Sequence, residues 1–462
     1  MAYSLPVGVV IMSNIFMPLA ILELAKRDAD CPIVDDDDPP TCKGRSHGMR
    51  PANIYNVIAT AGAVAVTLLL PVVGAIVENS RFRKEVACTS LVVTMLIQGV
   101  QIFINRSNWF SMAVLQVFAI AAAAIHSVAR DAYYPELSHL QAELNTIGSK
   151  GSLFLFATEV MFMVAVLLIR TVLDLNTIQT ARLSQAISTA ALSWAVVHIY
   201  GRLLRSRPKE PLPLREVLRR GANDLLRLFH QVRTDHPDMF RYLVGAAFGN
   251  AGMATFAAIA GVYLVETMGA SVTEVVLVIL LLLVVSAITS PLADTASRFV
   301  ARRYGDAASA QRPLCIAMIY IGLVTALAPA FCKSGSPIWV AYIFALIWGL
   351  GFGQYYSLVS SCYYFLVPAG QETKFAGSYN FSVNILNWLP LVAFTVLYSA
   401  TGSMPSGLWV MALFVFFGGG VIACVDMRQG RKDALAHGDG CVDDEEKGNR
   451  VMGIQSEPES YL

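Results

Sequence analysis

Glu159 is the only carboxylate that lies deep inside a long apolar segment of the sequence. A charged group surrounded by hydrocarbon is costly, so a carboxylate in this position usually has a functional role. The chemistry open to it is the binding and release of a proton. Two structural roles remain as alternatives: an ion pair with Lys150 or Arg170, and a position at the edge of the apolar layer, where a charged group reaches water.

The rest of the sequence offers no arrangement typical of an enzyme or a metalloprotein. No cysteines and histidines cluster at metal-ligand spacing, and no nucleophile stands beside a base. The acidic run 35–38 lacks the ligand spacing of a calcium-binding loop. We therefore expect a protein that is not an enzyme and that holds no cofactor or metal. A formal net charge of +1 does not indicate a nucleic acid partner.

The elements that must position Glu159 are membrane helices. Of the 462 residues, 55% are hydrophobic and only 15% are charged, an apolar excess that a soluble fold of this length cannot bury. A window of about 20 residues, the length that crosses the hydrocarbon core, identifies twelve apolar segments. Their approximate limits are 4–22, 53–77, 86–105, 109–129, 147–169, 183–204, 242–265, 274–296, 313–332, 338–366, 376–400 and 406–426. Only helices satisfy their backbone groups within single segments, so we predict an all-α membrane protein with twelve transmembrane helices.

The twelve segments divide evenly around one long connection. Residues 1–204 and residues 242–426 each hold six of them, and residues 205–241 form a cytoplasmic loop with an amphipathic segment. The acidic, polar tail 427–462 is expected to be disordered and cytoplasmic. Two six-helix halves packed about a central cavity are typical of secondary carriers.

Basic residues are concentrated in alternate loops. A basic cluster follows the second segment at residues 81–84, ten lysines or arginines lie within 202–241, and the loops after the seventh and eleventh segments hold none. Positive residues collect on the cytoplasmic side, so both termini are expected in the cytoplasm. The loop 23–52 then faces the lumen, where Cys31 and Cys42 can form a disulfide.

Two motifs resemble the loops that follow the second and eighth helices of the major facilitator superfamily. They are GAIVENSRFRKE at residues 74–85 and SPLADTASRFVARRYG at residues 290–305. The resemblance implies that Gly74 allows close helix approach, that Glu78 caps a helix or pairs across the bundle, and that Arg83 holds its loop in the cytoplasm. Asp294 is the acidic residue of the second copy. The fold implied is that of the major facilitators, with two six-helix halves.

Three further stretches narrow the resemblance to the autophagy-related vacuolar effluxer family. Residues 129–138, ARDAYYPELS, are similar to the signature that closes the family's fourth helix, and residues 249–256, GNAGMATF, to its motif in the seventh. Residues 348–382 resemble its glycine-rich tenth helix, the loop that follows and the start of the eleventh helix. The chain departs from the family pattern at Asp131, where asparagine is usual, and at Ala251, where aspartate is common. The family's polar leader is also missing from the first residues, so an N-terminal extension is expected.

This resemblance implies a carrier that exports amino acids, released by autophagic breakdown, from the vacuole to the cytosol. The two halves would rock about a site near the middle of the membrane and leave the solute chemically unchanged. The expected partners are an amino acid, the lipid bilayer and protons, and the oligomeric state is left open. The alternatives are a carrier for a sugar, an organic anion or a drug-like solute, and a membrane receptor or scaffold that transports nothing.

Helices 1, 4, 7 and 10 line the cavity in carriers of this superfamily, which implies a substrate-binding set of polar residues on these segments. The set is Asn14, Gln116, His126, Asn250, Thr255, Gln354 and Tyr355. For each of them, hydrogen bonding between helices is the alternative role. Glu159 is the candidate for proton coupling.

A further set of residues is expected to shape or close the ends of the pathway. Arg130, Asp131 and Glu372 stand near the predicted cytoplasmic ends of helices and are expected to form gate or capping contacts. Three glycines recur at every second position of the tenth segment: Gly349, Gly351 and Gly353. They permit either close helix contact or bending, because glycine lowers helix stability.

Overall fold

The computed structural model describes residues 4–30, 44, 46–49, 51–79, 83–131, 141–200, 227–305, 309–368 and 372–436. The described elements are helices, apart from one isolated β-bridge between Ser46 and Met49. The α-helices are α1 Ser4–Asp28, α2 Pro51–Asn79, α3 Arg83–Gln101, α4 Trp109–Asp131, α5 Gln141–Val172, α6 Thr177–Ala195, α7 227–235, α8 Pro237–Ala254, α9 Phe256–Met268, α10 Val272–Tyr304, α11 Gln311–Phe331, α12 Trp339–Phe365, α13 Glu372–Asn384, α14 Leu389–Thr401, α15 Pro405–Ala423 and α16 427–436. A π-helical turn, Val196–Tyr200, continues α6. The predicted all-α class is confirmed.

Ten helical segments of the described chain are long and apolar enough to cross a membrane. Eight are single helices, one combines α8 with α9, and one combines α13 with α14. α3 and α6 occupy the third and sixth predicted segments but do not belong to this group, because serine, threonine and glutamine occupy much of their buried faces. The count of twelve transmembrane helices therefore stays a prediction.

The helices pack as two groups that meet along shared seams. In the first group α1 lies against α2, α4, α5 and α6, and in the second α12 lies against α10 and α11. The groups touch where α5 meets α10 and α12 and where α2 meets α13. The apolar window of α1 is 72% buried, against 28% for α2, so α1 is an interior helix. Leu68, Phe103 and Met161 are each at least 70% exposed, as expected of side chains that face lipid.

Local sequence signals set several helix ends. α9 ends at Met268 and is capped by Gly269, whose φ of 68° suits a residue without a side chain. Two residues later, Ser271 and Glu274 form a capping box that starts α10. Asn176 and Gln179 form a second capping box at the start of α6. Each capping box satisfies two backbone N–H groups at the start of its helix.

Two predicted spans are each formed by two consecutive helices rather than by one. Segment 242–265 is divided at Thr255, which separates α8 from α9, and segment 376–400 is divided between Asn384 and Leu389. Pro390 lies in the first turn of α14, where its missing N–H is tolerated. At each break, backbone groups leave the regular helical pattern and become available to side chains, which matters for the site described next.

Candidate functional site

Glu159 is buried in the middle of α5, with 3% of its side chain exposed. It lies against Gly8 of α1, where an added Cβ would stand 3.3 Å from Glu159 Cγ. Among the described residues, the carboxyl group has no hydrogen bond and no ion pair. Lys150 and Arg170 lie on the same helix about 14 and 16 Å away along its axis, at about 1.5 Å per residue. The structure therefore contains neither alternative ion pair.

Glu159 stands at the seam between the two groups of helices. Tyr356 on α12 lies near enough to interact electrostatically with it. Phe156, one turn before Glu159, places its ring 6.1 Å from the ring of Tyr356. The carboxyl group thus borders helices of both groups, and any shift of α5 relative to α12 changes its surroundings.

A chain of three amides connects α3, α4 and α1. Gln101 Nε2 donates to the backbone carbonyl of Met112 at 3.3 Å and to Gln116 Oε1 at 2.9 Å. Gln116 Nε2 then donates to Asn14 Oδ1 at 2.8 Å. Gln101 and Gln116 are at most 1% exposed, whereas Asn14 is half-buried.

The backbone carbonyl at one end of this chain determines the orientation of all three amides. An amide oxygen only accepts and an amide nitrogen only donates, so the Gln101 atom beside Met112 O must be the nitrogen. That nitrogen requires the oxygen of Gln116, whose nitrogen in turn requires the oxygen of Asn14. Asn14 Nδ2 is left as a donor with no hydrogen bond to the described residues. Ile11, one turn away on the enclosed helix α1, is 42% exposed, so this face of α1 borders open space.

A second buried chain holds the first group together. Ser188 Oγ donates to Gln98 Oε1 at 2.6 Å, and Gln98 Nε2 donates to Ser13 Oγ at 2.7 Å. Gln185 Nε2 donates to the backbone carbonyl of Ser13 at 3.2 Å. These contacts join α6, α3 and α1 through uncharged groups. They explain why α3 and α6 are more polar than the other long helices.

Asn250 on α8 reaches the break between α13 and α14. Asn387 N bonds to Asn384 O rather than to Val383 O, which frees the Val383 carbonyl. Asn250 Nδ2 donates to that carbonyl at 2.8 Å and to Asn387 Oδ1 at 3.3 Å. Asn387 Nδ2 donates to Asn384 Oδ1 at 2.9 Å, and Asn384 Nδ2 donates to the backbone carbonyl of Asn380 at 2.8 Å.

The hydrogen-bond chains that end at Asn14 and Asn250 leave opposite groups free: a donor on Asn14 and an acceptor on Asn250. Backbone carbonyls again determine the orientation, so Asn250 Oδ1 is left as an acceptor without a hydrogen bond to the described residues. Asn250, like Asn14, is half-buried. The first helix of each group therefore carries one oriented amide, a donor on α1 and an acceptor on α8.

The predicted substrate-binding residues His126, Thr255, Gln354 and Tyr355 make no hydrogen bond to Asn14 or Asn250 within the described chain. His126 Nδ1 is 3.1 Å from the backbone carbonyl of Ala87, and Thr255 Oγ1 donates to Ala251 O at the end of α8. Tyr355 is fully buried, with its hydroxyl beside Gly249 inside the second group. Gln354 is half-buried and makes no hydrogen bond within the described chain. The structure thus brings together Asn14 and Gln116, and it places His126 and Tyr355 within helix packing.

A polar contact connects the two groups at one end of the bundle. Arg298 Nη2 binds Asp294 Oδ2 at 2.8 Å, and Thr146 Oγ1 of α5 donates to the same oxygen at 3.4 Å. Close by, an added Cβ at Gly148 of α5 would lie 2.8 Å from Ser357 O of α12. Asp294 therefore links α10 to α5.

The remaining predicted gate residues are placed as follows. Arg83 is 2% exposed at the start of α3, and Arg130 is half-buried in the last turn of α4. No described atom lies within 4 Å of a Cβ at Gly74, so the close helix approach expected there is not observed. Several predicted side chains lie outside the described residues: Glu78, Asp131, Glu372, Cys31 and Cys42.

The opposite end of the bundle carries an ion pair between the groups. Lys26 Nζ, near the end of α1, lies 2.8 Å from Glu266 Oε1, near the end of α9. Both side chains are less than 30% exposed. Neither residue was identified from the sequence, because their polar positions at helix ends give no sign of a partner 240 residues away. Gln101, Asn384 and Asn387 were missed for the same reason: only their long-range partners distinguish them.

The three glycines of α12 serve helix packing. α12 is unbroken through them. An added Cβ at Gly349 would meet Leu282 O of α10 at 2.7 Å, and one at Gly351 would meet Ile321 Cδ1 of α11 at 3.0 Å. At Gly353 it would meet Thr289 Oγ1, Ser286 O and, at 3.0 Å, Ser290 N of α10. Close contact, rather than bending, is the role that the structure supports.

We expect Gly353→Leu to destabilise the protein by about 1–3 kcal/mol, the usual cost of overpacking. The obstructing atoms at Gly353 include backbone atoms of α10, which cannot move aside as a flexible side chain can. The measurement is the thermal unfolding midpoint in detergent. Gly420→Leu is the matched control, since no atom lies within 4 Å of a Cβ there. Equal midpoints for the two variants would contradict the packing role.

Comparison of the sequence with family models places the chain in a family. The profile of a family described as vacuole effluxer Atg22 like matches residues 2–435, which is nearly the whole chain. No curated protein sequence matches the chain.

Solved structures show the fold. The proton:xylose symporter XylE of the major facilitator superfamily, bound to 6-bromo-6-deoxy-D-glucose, superposes with a TM-score of 0.60 at 10% identity, covering 90% of this chain and 93% of the symporter. A bacterial homologue of the iron transporter ferroportin, in an outward-facing state with soaked iron, gives 0.54 at 14% identity, covering 92% and 98%. The identities are low, so these similarities concern the fold alone. The chain belongs to the vacuole effluxer Atg22-like family and is a multi-pass membrane protein with the fold of the major facilitator transporters.

Proposed function

We propose that the protein exports amino acids from the vacuole to the cytosol by alternating access, with twelve transmembrane helices and both termini in the cytoplasm. The observation that carries this proposal is the pair of oriented amides, a free donor at Asn14 and a free acceptor at Asn250. A zwitterion needs both, because its carboxylate accepts hydrogen bonds and its ammonium group donates them. The family to which the chain belongs supports the vacuolar location and the direction.

Glu159 is the proton-coupling group of this proposal. A carboxyl group buried without a cationic partner is neutralised at least cost by a proton. It borders α1 of the first group and α12 of the second, so the relative motion of the two groups can change its access to water. Proton movement out of an acidic lumen would then drive solute in the same direction.

The polar contacts at the two ends of the bundle open in turn during the transport cycle. In the cytoplasm-facing arrangement the contact of Asp294 with Thr146 opens, and in the lumen-facing arrangement the ion pair of Lys26 with Glu266 opens. Each arrangement breaks a few polar contacts at one end and keeps those at the other. This exchange matches the rocking of two halves about a central site.

We expect that linking α1 to α9 at the second end arrests transport. In a chain whose native cysteines are replaced by alanine, Lys26→Cys/Glu266→Cys joined by a short, cleavable bifunctional thiol reagent should lower solute release at least about tenfold, because each cycle then requires a state that the link forbids. Cleavage of the reagent should restore release.

The matched control for this experiment is the Glu23→Cys/Arg27→Cys pair. These two residues form an ion pair within α1 alone, so their link leaves the two groups free to move. Arrest in both pairs would show that the reagent, and not the closed end, stops transport.

The proposed function is tested by release of radiolabelled leucine from preloaded vesicles that contain the purified protein. Release that depends on the protein supports an amino acid carrier. Failure across the twenty amino acids, with release of a sugar or an organic anion, would assign the carrier another solute. Failure with every solute would favour the receptor or scaffold, which should lose its function when residues 437–462 are deleted.

A further inference from the structure

A cavity of about 800 Å³ lies where three helix ends meet, apart from Glu159 and the two asparagines. Its wall is formed by the end of α10, the start of α11 and the turn between α15 and α16. Its volume is within the range of small-ligand sites, about 300–1,000 Å³. The transport cycle proposed above makes no use of it.

Arginine dominates the lining of this cavity. Arg303, Arg312 and Arg428 contribute three guanidinium groups, and none of them forms an ion pair with a described residue. Asp426 is the one described carboxylate in the lining, and its Oδ1 accepts from the backbone N–H groups of Arg428 and Gln429 at 2.9 and 3.0 Å. That carboxylate caps a turn, and the described lining carries an excess of positive charge.

Two of the three guanidinium groups are held in position by one residue. The Arg312 guanidinium stacks on the Tyr304 ring, 3.8 Å from its centroid, and Arg428 Nη2 donates to Tyr304 O at 2.9 Å. Gly305 turns the chain directly after Tyr304. Its φ of 89° would be strained in a residue with a side chain. Positioned guanidinium groups lose less side-chain freedom when they bind phosphate than mobile ones do.

An exposed apolar track continues from the cavity along the membrane-facing surface. Phe299 lies one turn before Arg303 and is 68% exposed, and Ile316 lies one turn after Arg312 and is 66% exposed. Ile319 on the same helix is 47% exposed. Residues four apart share one helix face, so these side chains extend toward the hydrocarbon layer from the level of the arginines.

We propose that this cavity binds the phosphate-bearing head group of an anionic phospholipid, with the acyl chains along Phe299 and Ile316. Guanidinium groups match phosphate oxygens, and basic pockets between membrane helices at the polar boundary favour anionic lipids. A free phosphate ion satisfies the arginines but makes no use of the apolar track. The track therefore favours the lipid.

The test is native mass spectrometry of the full-length protein in detergent, titrated with phosphatidylinositol or phosphatidylcholine. Phosphatidylinositol should bind at least about tenfold more tightly than phosphatidylcholine. The Arg312→Gln/Arg428→Gln variant should lose about 30-fold in affinity for it, at the usual contribution of each basic residue. Arg303→Gln breaks no described contact, so it should fold normally and lose about fivefold.

The control is Arg227→Gln/Arg233→Gln, which removes the same charge from exposed positions of α7. Its affinity for phosphatidylinositol should stay within twofold of the unchanged protein. An equal loss in this control, or unchanged binding by both cavity variants, would overturn the proposal. Displacement of the lipid by an equal concentration of inorganic phosphate would show that the site takes a free anion and would overturn it also. None of these readouts depends on transport, so the proposal stands or falls separately from the function above.

Discussion

Vesicles that contain the Glu159→Gln protein should lose the ability to use a pH gradient. With an interior one pH unit more acidic than the medium and the membrane potential clamped to zero, the unchanged protein should lower the internal leucine concentration about tenfold below the external one, because one pH unit corresponds to about 1.36 kcal/mol for each coupled proton. The variant should bring the two concentrations to equality. Glutamine keeps the shape of the side chain and removes the group that titrates.

The matched control is Glu274→Gln. Glu274 is a half-buried carboxylate in the first turn of α10, where it completes a capping box that glutamine also completes. This variant should keep the tenfold ratio. A tenfold ratio in the Glu159→Gln protein as well would show that the proton travels through another group. Leucine release by the unchanged protein without any response to the gradient would show that transport is not coupled to protons.

Asn14→Asp should raise the KM for leucine about 10- to 100-fold with little change in the maximal rate. The change replaces the free donor Nδ2 with an acceptor and leaves the bond from Gln116 in place, since a carboxylate oxygen accepts equally well. Loss of a hydrogen bond to a charged group costs about 1.5–3 kcal/mol, which corresponds to that range of affinity. The measurement is the concentration dependence of leucine uptake or release in vesicles.

Two comparisons separate a binding role for Asn14 from a structural one. Isoamylamine, which is leucine without its carboxylate, should bind more tightly to the Asn14→Asp protein than to the unchanged protein. Ser188→Ala removes a buried hydrogen bond of the chain formed by Ser188, Gln98 and Ser13, which includes no bond to the Asn14 side chain, and should leave KM unchanged. An equal rise of KM in the Ser188→Ala protein would mean that these amides only stabilise the first group of helices.

Much of the fold was predictable because the bilayer restricts the choice of structure. Apolar segments about 20 residues long must be helical in hydrocarbon, so composition and segment length were enough for the all-α class. The order of short motifs was enough for the family. The breaks near Thr255 and Asn387 were not predicted, because both segments average as apolar over a window of that length. The Val383 carbonyl freed at the second break is bound by Asn250, which is 133 residues away in the sequence.

The candidate site was predictable by residue but not by geometry. Glu159, Asn14 and Asn250 were visible because a polar residue inside an apolar run must have a partner or a function. The sequence by itself thus determined that these groups lie within the membrane. Only the tertiary structure decided which partners each side chain has and which of its polar atoms stays free. The carboxyl group lacks a cation because Lys150 and Arg170 are fixed at a distance on the same rigid helix, and each asparagine exposes one end of its amide because a chain of partners far away in the sequence holds the other end.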